Sequence, residues 1–284
     1  LAEPEKSGLI VKNITGLGPV KANINTSDIC TADGSQFNSA RKEKRNIVIT
    51  LDFQLFPSVE DARQLTYRYF PLKKNVTLII ETDNRTSCCS GYIESNEPEI
   101  FSQTEITQIS IICPDPNLYS VIKTQKTRFS GLEPMFEFPF DNDSLTEPKI
   151  EFGYEDDGEP HLINYEGDTE TGFTLTIHFL GYAKNVSLYN IHTREYIKIN
   201  TDAIALITGS EVAKGDDIII RTEHGRKSIT LMRDGKYYNA LSCLVRRSSW
   251  IQLKTGPNVF AFTVEEGKKN VQFIMENYIV YEGV

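Results

Sequence analysis

The sequence lacks long apolar runs, an excess of basic residues and any cysteine pattern. No apolar run approaches the roughly 20 residues that a membrane-spanning helix needs. The net charge of −9 disfavours binding to the phosphates of nucleic acids. Hydrophobic residues make up 39% of the 284 residues, which is typical of a folded globular chain. These shortages argue against a membrane partner and against a DNA-binding protein.

Metal-ligand spacing is also missing. The five cysteines are an odd number, and the adjacent Cys88 and Cys89 would point to opposite faces of a strand. The four histidines show no HExxH or related spacing. We therefore expect no metal and no cofactor, and the sparse cysteine indicates synthesis in a reducing cytosol.

No catalytic set is recognisable. The chain has no Gly-x-Ser-x-Gly elbow for a serine nucleophile. Residues 16–19 (GLGP) lack the third glycine and the βαβ unit of a dinucleotide-binding fingerprint, so these glycines are predicted to shape a turn. Carboxylate pairs such as Glu97 with Glu99 would suit a glycosidase only at a separation that a sequence does not give. The sequence predicts that the protein is not an enzyme.

Two charged segments have plain interpretations. Residues 41–45 (RKEKR) form the one basic cluster, which Glu43 interrupts. We expect a solvated turn before a strand there, with nucleic-acid binding as the alternative. Residues 1–11 are acidic and contain Pro4, which is unlike a secretory signal.

One helix is predicted, at about residues 58–70. Ser58 is placed to cap its first backbone N–H groups, with Asp61 in a capping-box-like position. The pair Phe70-Pro71 ends it, because a residue before proline disfavours the helical region. The apolar stripe of this helix is predicted to comprise Val59, Ala62, Leu65 and Tyr69.

Most of the remaining chain has the period of two that is typical of strands. Residues 45–53, 76–82 and 106–113 alternate in this way in the first half. In the second half, Asp234-Gly235 is a hairpin signal, and turns recur every eight to twelve residues. One face of a strand is predicted to carry Phe173, Leu175, Ile177 and Phe179. The sequence therefore predicts a mainly β protein built from β-sandwiches, the first carrying the helix.

Residues 118–160 are predicted to connect two domains. This stretch holds four prolines and the acidic run EDDGE at residues 155–159. We place the boundary near Glu147, which gives an N-terminal domain at residues 1–147 and a C-terminal domain at residues 148–284.

Several segments, taken in order, are similar to those of a known family. In the first half they are residues 9–26, 33–41, 45–53, 67–71, 91–102 and 109–116. In the second half they are residues 164–181, 225–236 and 248–260. Together these segments resemble the distal tail proteins of long-tailed, siphovirus-type bacteriophages. Residues 201–216 look longer than the usual loop of that family.

The resemblance implies a structural ring protein of the tail tip or baseplate. It implies that the N-terminal domain forms a homohexameric ring, and that the C-terminal domain is a galectin-like, jelly-roll sandwich. The implied partners are the tail tube protein, the tail-tip hub or tail-associated protein and receptor-binding proteins, with DNA only as cargo passing through a channel. The implied location is the distal end of the virion tail, after assembly in the bacterial cytoplasm. A strand edge around residues 91–101 is one candidate for the ring contact.

A carbohydrate-binding adhesin is the alternative. Such modules stack sugars on exposed aromatic rings beside polar groups. The candidate stacking residues are Trp250, Tyr237, Tyr238 and Tyr189. Packing in a core or an interface is the competing interpretation of the same four side chains.

Overall fold

The structure, a computed structural model, divides into two compact units. It describes residues 3–29, 33–54, 58–102, 105–121, 125–128, 132–134, 153–155 and 160–284. The N-terminal unit comprises Leu1–Val121 and Val280–Val284, and the C-terminal unit comprises Ile122–Ile279. The units divide between residues 121 and 122, earlier than the boundary predicted from the sequence. Glu147 itself lies outside the described residues.

Strands dominate both units. The helices are α1 (Pro4–Ser7), α2 (Val59–Tyr69) and α3 (Asp202–Thr208), with short 3-10 turns at Leu241–Cys243 and Lys268–Asn270. The first eight strands are β1 (Leu9–Thr15), β2 (Ala22–Asp28), β3 (Ser35–Lys42), β4 (Arg45–Phe53), β5 (Asn75–Glu81), β6 (Thr86–Pro98), β7 (Ile106–Cys113) and β8 (Leu118–Ser120). The next seven are β9 (Gln125–Arg128), β10 (Leu132–Pro134), β11 (Gly153–Glu155), β12 (His161–Tyr165), β13 (Thr174–Phe179), β14 (Lys184–Asn190) and β15 (Glu195–Ile199). The last six are β16 (Asp217–Arg221), β17 (Ser228–Arg233), β18 (Lys236–Asn239), β19 (Gly256–Glu266), β20 (Val271–Asn277) and β21 (Val280–Tyr281). The mainly β fold class predicted from the sequence is confirmed.

The N-terminal unit is organised around one seven-stranded sheet. Its strands follow the order β1-β4-β7-β6-β8-β21, and β5 pairs with the first half of β6. Burial alternates along β4 and β7, so one face of the sheet is covered and the other is not. The covered face holds a single apolar core that includes Ile47, Ile49, Leu51, Ile109 and Ile111.

Helix α2 lies against β4 and β6 and confirms the predicted helix. The hydroxyl of Ser58 accepts a hydrogen bond from the backbone N–H of Asp61 at 3.5 Å, as its predicted capping role requires. Ala62 is buried, but Tyr69, which we predicted to lie on the apolar stripe, is exposed. The chain leaves the helix at Phe70, whose buried ring takes the inward position instead.

Arg45 corrects the interpretation of residues 41–45 as a solvated turn. Its side chain is fully buried at the start of β4. The guanidinium donates hydrogen bonds to the backbone carbonyls of Gly16 and Gly18 at 2.6 and 2.8 Å. It also donates to the carbonyls of Pro116 and Glu282, both at 2.8 Å. One cation therefore joins two loops to the C-terminal segment of the N-terminal unit.

The C-terminal unit is a β-sandwich. Its four-stranded sheet has the order β12-β19-β14-β15, and its six-stranded sheet has the order β18-β17-β16-β13-β20-β9. The apolar face predicted for β13 is buried, as expected; it comprises Phe173, which precedes the strand, and Leu175, Ile177 and Phe179. Aromatic rings join the sheets: the Phe262 and Phe273 centroids are 4.7 Å apart. The predicted hairpin at Asp234-Gly235 is present, with both residues at positive φ.

Part of the predicted connector belongs to the two sheets. β8 pairs with β6 and β21 in the N-terminal unit, whereas β9 pairs with β20 in the C-terminal unit. These short strands carry no alternation long enough to be detected in the sequence. The acidic residues 156–159 lie outside the described residues. None of the helices described here is long and apolar enough to cross a membrane.

Candidate functional site

The candidate assembly site is a two-stranded ribbon in the N-terminal unit, formed by β2 and β3. Within the described residues these strands pair only with each other. The base of the ribbon is anchored, because the ammonium of Lys42 lies 2.7 Å from the Glu282 carboxylate and 3.2 Å from the Asn117 side-chain oxygen. An isolated two-stranded hairpin is marginally stable in water, so such a ribbon is expected to gain stability from a further surface.

The two faces of the ribbon differ in polarity. Cross-strand register places Ile24 opposite Ala40 and Thr26 opposite Phe37, so these residues share one face. Ile24 and Phe37 are 60% and 63% exposed. The other face is polar, and there Asn25 donates to the Ser39 hydroxyl at 3.1 Å. The sequence pattern does not indicate this apolar face, because the register shift after Asn25 leaves Asn38 of β3 without a partner and breaks the alternation of that strand.

The strand edge that we predicted around residues 91–101 is wrong for its first part. Tyr92 pairs with β5 on one side and with β7 on the other, so it lies inside the sheet. Gly91 is packed so closely that an added Cβ would lie 2.7 Å from the Cys113 sulfur. Among the described strands, β1, β5 and β21 each pair with one neighbour, and residues 95–98 of β6 pair with β7 only, so these segments are the open edges of the sheet. Ile79 on the outer face of β5 is exposed.

Along β4 and β7, the uncovered face of the seven-stranded sheet carries more polar residues than apolar ones, the apolar ones being Val48, Ile106 and Ile112. Alternation along β4 and β7 turns Asn46, Thr50, Asp52, Gln108 and Ser110 away from the core. The Ser110 hydroxyl donates to a Glu94 carboxylate oxygen at 2.8 Å and lies 3.0 Å from the Asn46 side-chain oxygen. No lysine or arginine is among the outward residues of these two strands.

The four candidate sugar-stacking residues do not share one surface. Tyr189 lies on β14 in the four-stranded sheet, where its ring contacts that of Tyr196 at 5.8 Å between centroids. Tyr237 and Tyr238 are adjacent on β18 of the other sheet, opposite Met232 and Leu231, so they point to opposite faces. Trp250 is partly buried, with the Lys227 ammonium 5.8 Å from its ring centroid. A stacking role for these residues stays a prediction.

Two of the described thiols of the N-terminal unit, Cys89 and Cys113, belong to its core, whereas Cys88 is partly exposed. Cys89 and Cys113 are buried with their sulfurs 4.0 Å apart. The hydrogen bond with Cys113, together with burial, raises the pKa of Cys89, which keeps this thiol protonated and poorly nucleophilic. Cys30 lies outside the described residues.

Comparison with known proteins identifies the C-terminal unit. Residues 166–276 match the family described as the siphovirus-type tail component, C-terminal domain. Residues 166–276 are therefore similar to the C-terminal domain of siphovirus-type tail components. The resemblance to the distal tail protein family is confirmed, and with it a structural role in a phage tail. No curated protein sequence matches the chain significantly.

One solved structure extends the likeness in fold to almost the whole chain. The crystal structure of the SPP1 Dit protein, described as a paradigm of the hub adsorption apparatus in phages infecting Gram-positive bacteria, superposes with a TM-score of 0.61 at 13% identity. The match covers 96% of this chain and 95% of the SPP1 chain. The baseplate of phage P2 in its activated conformation with Ca gives a TM-score of 0.48 at 11% identity, over 98% of this chain and 92% of that chain.

Proposed function

We propose that this tail component forms a homohexameric ring that joins the tail tube to the tail-tip or baseplate hub and its adhesion device. The number six comes from the resemblance to distal tail proteins. The exposed apolar face of the β2–β3 ribbon is the observation that supports a contact between copies. In this role the protein is an adaptor and not an enzyme.

The ring contact is heterologous in this proposal. The ribbon of one copy packs its face of Ile24 and Phe37 against a different surface of the next copy, and repetition of such a contact closes a ring. Full burial of one large apolar side chain contributes about 1.5–3 kcal/mol. Because Ile24 and Phe37 are 60% and 63% exposed, burying the exposed part of both contributes about 2–4 kcal/mol to each contact. That energy corresponds to roughly 30–10³-fold in the affinity between copies.

The polar face of the seven-stranded sheet suits the wall of a DNA channel. A wall rich in lysine and arginine would hold the genome through its phosphates and slow its passage. The outward residues of β4 and β7 carry one carboxylate and no cation, which supports this assignment. The tail tube protein, the hub and receptor-binding proteins are the partners of the ring, and assembly takes place in the host cytoplasm before the ring enters the virion tail.

Sedimentation velocity and particle imaging of the purified full-length chain test the ring. We expect a species of six copies with sixfold symmetry. The double variant Ile24→Asp with Phe37→Asp is expected to sediment as a monomer while keeping its circular dichroism spectrum. The control is Leu206→Asp, because Leu206 is 89% exposed on α3 in the other unit. A wild-type protein that stays monomeric at its highest soluble concentration, or a double variant that still forms hexamers, would contradict the proposal.

A further inference from the structure

One end of the C-terminal sandwich contains a polar pocket of about 600 Å³. It lies between the turn joining β14 to β15, the loop before β19 and the loop between β12 and β13. Its lining includes Glu170, Asn190, Thr193, Glu195 and Lys254. The volume is within the range of about 300–1,000 Å³ that small-molecule sites occupy. None of the four aromatic residues suggested by the sequence lines it.

Two buried polar groups in this pocket have no hydrogen-bond partner among the described residues. Asn190 is 1% exposed, and its side-chain oxygen accepts from the backbone N–H groups of His192 and Thr193 at 3.0 and 3.2 Å. These two bonds fix the orientation of the amide and leave Nδ2 unpaired. The hydroxyl of Thr193 is likewise buried and unpaired. Leaving a buried polar group unpaired costs about 1–3 kcal/mol, so both groups favour a ligand that supplies partners.

The surrounding frame is rigid. Asn258 is buried and closes the loop before β19, accepting from the Lys254 N–H at 3.0 Å and donating to the Lys254 carbonyl at 2.7 Å. The Thr255 hydroxyl donates to the Gly167 carbonyl at 2.9 Å and joins this loop to the one before β13. The backbone of residue 253 exchanges hydrogen bonds with that of Thr171 in both directions. A frame held in this way presents its unpaired groups at fixed positions.

The chemistry of the lining selects the class of ligand. Glu170 and Glu195 supply carboxylates that accept hydrogen bonds, whereas Asn190 supplies a donor and Thr193 a group that does both. Sugar hydroxyls donate and accept, so neighbouring hydroxyls satisfy such a mixed set. Two carboxylates against the single ammonium of Lys254 disfavour phosphates and acidic sugars. We propose that this pocket binds a neutral saccharide unit with neighbouring free hydroxyl groups.

Saturation-transfer difference NMR on the full-length chain tests the site. The probes are glucose, galactose, rhamnose and N-acetylglucosamine, with glucuronate as the acidic comparison, each at ~10 mM to detect a Kd of ~1 mM. We expect a signal from at least one neutral sugar and none from glucuronate. Asn190→Asp keeps the oxygen that orders the turn but removes the donor, and Thr193→Val removes the hydroxyl with little change in shape. Each is expected to weaken binding at least tenfold.

The matched control is Asn239→Asp. The Asn239 side chain also accepts a backbone N–H two residues on, from Leu241 at 3.0 Å, but lies outside the pocket lining. It is expected to bind like the wild type. Absence of any neutral-sugar signal, a preference for glucuronate, or binding lost in Trp250→Ala but retained in both pocket variants would overturn the proposal. Sedimentation of the pocket variants is expected to be unchanged, so this test is independent of ring formation.

Discussion

Replacing Arg45 with methionine is expected to loosen the N-terminal unit more than any exposed substitution. The guanidinium makes four hydrogen bonds to backbone carbonyls, which belong to Gly16, Gly18, Pro116 and Glu282. Burial lowers the pKa of Arg45, because removing the guanidinium from water disfavours its charged form. Methionine fills much of the same space but donates no hydrogen bond.

The expected loss follows from these contacts. A hydrogen bond to a charged group contributes about 1.5–3 kcal/mol, so four bonds set an upper limit of ~6–12 kcal/mol. Removing the buried cation also removes its desolvation cost of several kcal/mol. Water reaches part of the freed carbonyls once the loops separate. We therefore expect a net loss of about 3–5 kcal/mol, in the range seen when one partner of a buried charged contact is removed.

Hydrogen–deuterium exchange of the full-length protein measures this loss unit by unit. Peptides covering residues 9–18 and 280–284 are expected to exchange faster by a factor of roughly 10²–10⁴ in Arg45→Met. The single tryptophan, Trp250, lies in the C-terminal unit, so its fluorescence transition in urea serves as an internal control and should not move. Arg41→Met is the matched control, because Arg41 is exposed in the same basic cluster.

Two results would refute this reasoning. One is a loss for Arg45→Met below about 1 kcal/mol, the level typical of surface substitutions. The other is an equal effect of Arg41→Met. Either would mean that the four carbonyls do not depend on the guanidinium.

Three further predictions concern other parts of the chain. Gly16→Ala should destabilise the N-terminal unit by about 2 kcal/mol or more in urea unfolding, because Gly16 has φ +85° and an added Cβ would lie 1.9 Å from a backbone oxygen. Gly18→Ala is the control: open space surrounds Gly18, so the free energy of unfolding should change by less than about 1 kcal/mol. Arg233→Met should cost about 3 kcal/mol and raise exchange in residues 208–216, because this guanidinium pairs with the buried carboxylate of Asp216 and donates to three groups of that loop. Hydrogen bonds from Asn185 and Lys198 lower the pKa of Glu265. The stabilisation that this carboxylate gives is therefore present above its ordinary pKa and is lost as the pH falls through the lowered pKa. Glu265→Gln should make the free energy of unfolding depend less on pH in the acid range, and an unchanged pH dependence would refute this prediction.

Local patterns predicted much of the fold. The strict alternation in residues 45–53 and 173–179 fixes which side chains face the core, because a shift of one residue would turn all of them to solvent. The helix cap at Ser58 and the Asp234-Gly235 turn depend on neighbouring residues only, and both are present. Short strands such as Leu118–Ser120 were missed, since three residues carry too little periodicity.

The candidate sites were much less predictable. The pocket brings Glu170, Asn190 and Lys254 together from two loops and the end of β14, and no spacing along the chain connects them. The apolar face of the ribbon depends on cross-strand register and on a bulge, both set by pairing between β2 and β3. The sequence suggested aromatic residues for a sugar site because ring type is visible in it, whereas an unpaired buried amide is not.

The sequence by itself determined the mainly β class, the position of the long helix and the resemblance to phage tail proteins, because each rests on residues adjacent in the chain. Tertiary structure alone decided that Arg45 is a buried cation that hydrogen-bonds several segments and is not solvated, since its four partners are the carbonyls of residues 16, 18, 116 and 282. It also decided where the two units divide, because the last five residues return to the first unit. The physical reason is the same in each case: burial and hydrogen-bond partners depend on which distant segments meet.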